Sequence, residues 1–216
     1  HLSLLAEALA LLLTFILPLK LGTLSGVPEM SLPYFDSPLA LLLTSWPPTL
    51  LAPFSAALLA LCALLSPWTD FRSRWLRLFA GLWAALAAVS ILGFVNASTW
   101  DFAINAVSHT FGVACYAVSI CLLLERRPAF ANWLLGAISI GALFSLFSGY
   151  YQYFAGFQET RQYAYDQELK SGVKFLGGQF KQRIEESRVS ADFTICNVFA
   201  GYLLITVPLL LWQIYK

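Results

Sequence analysis

Arg188 is a guanidinium placed nine residues before an apolar run that opens at Asn197, in a chain where charge is scarce. Arginine presents a planar fork of donors that matches phosphate, and a position just outside a membrane span is where a lipid-borne pyrophosphate lies. A salt bridge to an ordinary lipid headgroup is the competing use. Asn197 also has two uses: its amide could cap the helix that starts there, which is the simpler account, or bind a sugar or phosphate oxygen. A second constellation, Asp101, Asn105 and His109, is spaced by four along one helix face that continues through Gly112 and Tyr116. Polar groups at membrane depth are functional candidates by default, although a hydrogen-bonded seam between helices accounts for these three more simply. A Ser/His/Asp arrangement has no support, because the chain holds two histidines and one of them is His1.

These groups stand in a membrane protein. The 216 residues are 59% hydrophobic and 12% charged, with a mean hydropathy of +0.70; a soluble domain carries about twice that charge fraction. Apolar stretches of about twenty residues recur, each long enough to cross a hydrocarbon core. They do not alternate in the short segments a β-barrel requires. The fold class expected is all-α: a polytopic transmembrane bundle of about six spans. Nucleic acid is excluded as a partner, since no basic cluster stands free of acids. The four cysteines, Cys62, Cys115, Cys121 and Cys196, have no metal or disulfide spacing.

Six spans follow from the apolar runs: about 2–21, 49–66, 78–95, 102–124, 129–154 and 197–215. Pro18 falls near the exit of the first. Residues 22–37 read as a loop, and Trp46-Pro47-Pro48 breaks the next apolar region, setting a short interfacial or re-entrant helix before the second span. Arg72, Arg74, Arg77, Arg126, Arg127 and Lys216 lie after spans two, four and six, whereas 22–37 and 96–101 hold no lysine or arginine. Positive residues in short loops favour the cytoplasm, so both ends of the chain are expected there. In span five, Ala137, Gly141, Ser145 and Gly149 form a small-residue stripe of the kind that lets helices approach closely.

Residues 155–196 then form one long extracytoplasmic loop within a single transmembrane domain, 1–216. From Leu169 onward, Leu169, Val173, Leu176, Phe180 and Ile184 fall at helical spacing with Lys170, Lys174, Lys181 and Arg183 between them. An amphipathic helix of that pattern lies along a membrane surface.

The segment Tyr150-Tyr151-Gln152-Tyr153, closing a span, followed by Arg188, Phe193, Asn197 and Ala200-Gly201-Tyr202-Leu203, resembles the O-antigen ligase and polymerase family of bacterial envelope enzymes. Pro18-Leu19-Lys20-Leu21-Gly22 is similar to members of that family as well. The resemblance implies a glycosyltransferase of the bacterial inner membrane, without metal or other cofactor, that serves lipopolysaccharide biosynthesis. It passes a glycan from an undecaprenyl pyrophosphate carrier to a lipid or glycan acceptor, such as lipid A core. Fixed arginines would stabilise charge growing on the departing pyrophosphate. Arg188 matches the motif arginine, with Arg161 and Lys174 as further pyrophosphate contacts and Asn197, Gln152, Asp101, Asn105 and His109 in support. Where the family reads Gly-Thr-Phe and then a proline before the asparagine, this chain has Ala191-Asp192-Phe193 and Cys196. The family's catalytic histidine lies in a later loop. The chain is therefore expected to be an N-terminal part, inactive by itself. Membrane lipids are the other expected partners. A transporter or flippase half for lipid-linked glycans, or a non-catalytic membrane scaffold, are the alternatives.

Overall fold

Long apolar runs with helix-forming composition and few charges leave the backbone one economical solution in lipid, which is to bond to itself. The computed structural model describes residues 2–20, 50–65, 73–95, 97, 100–171 and 196–215, and among these every regular element is helical. They are α1 (Leu2–Lys20), α2 (Leu51–Leu65), α3 (Arg74–Val95), α4 (Trp100–Arg126), α5 (Phe130–Tyr151), a π-helical segment (Gln152–Gly156), α6 (Phe157–Ser171) and α7 (Cys196–Tyr215). Four stretches are long and apolar enough to cross a membrane: Leu2–Leu19, Arg74–Val95, Ala103–Arg126 and Phe130–Glu159. Leu51–Leu65 and Val198–Gln213 are shorter apolar helices. Among the described residues the chain is thus all-helical and polytopic, and four spanning helices with two shorter apolar ones are roughly consistent with about six spans. The expected re-entrant helix before Thr49 lies outside the described residues.

The chain divides into two units, His1–Gly141 and Ala142–Lys216, the division falling inside α5. In the first, α4 is the central post, packed against α2, α3 and α1. Its core is built at helical spacing: Ala6, Ala10 and Leu13 from α1, Leu58 and Cys62 from α2, and Val118, Cys121 and Leu122 from α4. Phe130, 1% exposed, closes this core where α5 begins. On α3 only Ala80 is buried, and its row of leucines and valines faces outward, as expected of a helix solvated by lipid tails.

Small residues set how near α2 comes to α4. A Cβ added to Gly112 would lie 2.9 Å from the Ala52 nitrogen and 3.0 Å from its Cα. Glycine is required there by backbone contact. One turn further along α4, Cys115 is buried, and Ser119 beyond it is fully buried with its hydroxyl donated to the Cys115 carbonyl at 2.7 Å. Fifteen residues give α2 a length of about 22 Å, less than a hydrocarbon core of about 30 Å. Pro53, in its first turn, removes no hydrogen bond the helix would make.

In the second unit, Ser145 is fully buried and Gly149 is buried, so this end of the predicted small-residue stripe lies on a packed face. Thr206 of α7 is buried and bonds back to the Tyr202 carbonyl at 2.9 Å. Pro208 lies inside α7, where it removes one backbone donor.

Candidate functional site

Three polar regions could do chemistry, and each is built by a different part of the sequence. The first is the face of α4. Asn105 and His109 are half-buried on it, and His109 Nδ1 is enclosed with no hydrogen-bond partner among the described residues. Below them Gly112 meets the start of α2, and Tyr116 shares a hydrogen bond with Thr14 of α1. Thr14 in turn donates to the Ala10 carbonyl at 2.7 Å. The lower part of the face is therefore a helix-packing seam. Asp101 belongs to α4, but its side chain lies outside the described residues.

The second region is a belt at one end of the first unit. Arg127 Nη1 donates to Glu7 Oε2 at 2.9 Å. Arg126 Nη1 donates to the Leu65 carbonyl at 2.9 Å, satisfying the last turn of short α2. The Ser73 N–H donates to the Glu125 carboxylate, 3.0 and 3.2 Å from its two oxygens. So α1, α2, α4 and the start of α3 are tied together where the sequence concentrates its arginines. A charged triplet that reads as a mere topology signal also holds the bundle. Only pairing in space reveals this, because Glu7 and Arg127 are 120 positions apart.

At the other end, Phe94 and Trp100 stack edge-to-face across the α3–α4 turn, with ring centroids 4.9 Å apart. A groove of about 210 Å³ between these helices is lined by Ser90, Gly93, Phe94, Ala106 and Thr110 among others. Ser90 and Thr110 bond back to Leu86 and Ala106 of their own helices. The lining is apolar in effect, suited to hydrocarbon rather than to a sugar or phosphate.

The third region is the passage from α5 into α6. Hydropathy alone ends the fifth span at Phe154 and begins a loop at Ala155. In the structure the helix runs on: the Phe157 N–H reaches the Gln152 carbonyl five residues back, and α6 carries the chain to Ser171. The reason lies in composition, since QETRQYAYDQELK is rich in helix formers although polar. Tyr150, Tyr151, Tyr153 and Phe154 are all more than half exposed. Tyr150 and Phe154 have ring centroids 4.4 Å apart, and Tyr153 and Phe154 5.0 Å. The Tyr151 hydroxyl donates to the Glu159 carboxylate, 3.1 Å from each oxygen, across the π-helical segment.

Of the phosphate-binding candidates, Arg161 is half-buried on α6, and Gln152 opens the π-helical segment. Arg188 and Lys174 lie outside the described residues, as does most of the amphipathic pattern from Val173 to Ile184. Asn197 is the second residue of α7, with its side chain outside the described residues. Among the described residues no group of three or more His, Cys, Asp or Glu could hold a metal ion. Compared with known proteins, the chain matches no family model, no curated protein and no solved structure.

Proposed function

We propose that this chain is the membrane part of an envelope glycosyltransferase of the O-antigen ligase type, which takes a glycan from an undecaprenyl pyrophosphate carrier on the outer face of the bacterial inner membrane. One observation carries this most directly. The motif Tyr150-Tyr151-Gln152-Tyr153 sits where an uncharged membrane helix turns into a polar one. Arg161 follows Phe154 by seven residues, about 10 Å further along the helix, close enough for its long side chain to reach back toward a pyrophosphate at the membrane surface. Arg188 lies nine residues before Asn197 in sequence, and the resemblance gives it the same task. Guanidinium groups held there would bind the leaving pyrophosphate more strongly as its charge develops than in the ground state. The arginines at the Glu7–Arg127 end of the first unit favour a cytoplasmic location for that end.

The test is glycan transfer in cells carrying the complete gene product. Arg188→Ala should abolish transfer, Arg188→Lys should retain a small fraction, and Arg161→Ala should reduce it. Full transfer by Arg188→Ala removes that residue from the mechanism; full transfer by all three removes the pyrophosphate site. A second reading, half of a lipid-linked glycan transporter, draws on the enclosed Nδ1 of His109. Transport would make His109→Phe more damaging than Arg188→Ala.

A further inference from the structure

Between Ser148 and Phe157 the chain passes from an uncharged helix to a charged one without a break in the helical backbone. α5 carries no charged residue over Phe130–Tyr151, whereas α6 carries Glu159, Arg161, Asp166, Glu168 and Lys170. The inversion is concentrated at four aromatic residues in five positions, Tyr150, Tyr151, Tyr153 and Phe154, whose side chains are 52% to 64% exposed. At about 100° per residue they cover close to half the helix circumference. Phe154 packs against both Tyr150 and Tyr153, and Tyr151 is hydrogen-bonded to Glu159 on the polar side. Tyrosine has an apolar ring and a polar tip, and it concentrates where hydrocarbon meets headgroups. A row of exposed rings facing water would be unfavourable, and rings placed deep in hydrocarbon would strand the hydroxyls of Tyr150 and Tyr153 and carry the charged Glu159 bonded to Tyr151 in with them.

We propose that Tyr150, Tyr151, Tyr153 and Phe154 form a collar seated in the lipid headgroup layer, fixing the level at which an unbroken helix leaves the membrane, with α6 standing in the aqueous phase beyond it. The occupant of this surface is lipid. The π-helical segment, which contains Tyr153 and Phe154 of the collar, sets α6 on a different angular register from α5, because each of its turns holds more residues than an α-turn. This inference does not depend on the glycan assignment.

Nitroxide labels on single cysteines, in a variant with Cys62, Cys115, Cys121 and Cys196 replaced by serine or alanine, test it in the full chain reconstituted in phosphatidylglycerol–phosphatidylethanolamine vesicles. Power saturation compares collisions with oxygen, which favours lipid, and with a water-soluble nickel chelate. Phe147→Cys should be dominated by oxygen, and Gln158→Cys and Tyr165→Cys by nickel, with the crossover between 150 and 156. Oxygen dominance at 158 or 165 overturns the proposal. So does shielding of Tyr153→Cys from both reagents, which would mean a protein or glycan covers the rings. Replacing Tyr153 and Phe154 by alanine, with the label kept at 158, should move that label by about one helical turn, roughly 5 Å. An unmoved label would show that the collar does not fix the level.

Discussion

Arg127, the residue after α4, and Glu7, near the start of α1, are joined by a 2.9 Å ion pair. Their exposures differ: 50% for the arginine side chain and 15% for the glutamate. Removing each partner should therefore cost a different amount. Arg127→Ala leaves a mostly enclosed carboxylate without its cation, whereas Glu7→Ala leaves an arginine that can still reach water or lipid phosphate. The first should lower thermal stability in detergent more than the second. Because one partner is half exposed, the coupling from a double-mutant cycle should be only about 0.5–1 kcal/mol. Equal losses, or no coupling, would show that the pair does not hold α1 to α4.

Gly112 makes a sharper prediction. The atoms a new Cβ would meet are backbone atoms at the start of α2, at 2.9–3.1 Å, and they cannot swing aside. Gly112→Ala should cost about 1–3 kcal/mol as the two helices are pushed apart. A Cβ added to Gly136 would meet nothing within 4 Å, so Gly136→Ala should be neutral or gain up to about 1 kcal/mol from helix propensity. Thermal unfolding of both variants in one detergent decides the matter. A harmless Gly112→Ala would place α2 further away.

The spans were legible because hydrophobic length is a one-dimensional property. The starts at Leu51 and Phe130 and the end at Val95 fall within two residues of expectation. The start of α3 at Arg74, four residues early, and the run of helix past Phe154 were not legible. Polar residues end the membrane span without ending the helix, and hydropathy reports only the first. Asn105, His109 and Tyr116 were legible as residues at helical spacing on α4. That Thr14 completes the hydrogen bond of Tyr116 was not, since nothing in either sequence neighbourhood names a partner 102 positions away. Of the cations that the resemblance singles out, Arg161 is on α6, whereas Arg188 and Lys174 lie outside the described residues.

The Thr14–Tyr116 bond should be worth little by itself. Hydrogen bonds between membrane helices average about 0.6 kcal/mol, because the separated helices find other partners. Tyr116→Phe and Thr14→Val should each cost about that much, and the double variant no more than either alone plus a few tenths. A loss above about 2 kcal/mol for Tyr116→Phe would mean that its hydroxyl has a further task on the α4 face, in which case His109 and Asn105 become the first residues to vary next.

Orientation can be read from two positions on either side of α5. Arg74 is exposed at the arginine-rich end of the first unit, and Gln158 is exposed on α6, which follows α5 in the chain. The excess of arginine in the short connections predicts that the first is cytoplasmic. A helix of 22 residues, about 33 Å long, is enough to put the second on the opposite side. In a background without the native cysteines, a membrane-impermeant maleimide should modify Gln158→Cys in intact cells. Arg74→Cys should react only after the membrane is permeabilised. If the two reactivities are exchanged, α6 lies in the cytoplasm, out of reach of any lipid-linked glycan on the outer face, and the pyrophosphate role proposed for Arg161 and Arg188 falls with it.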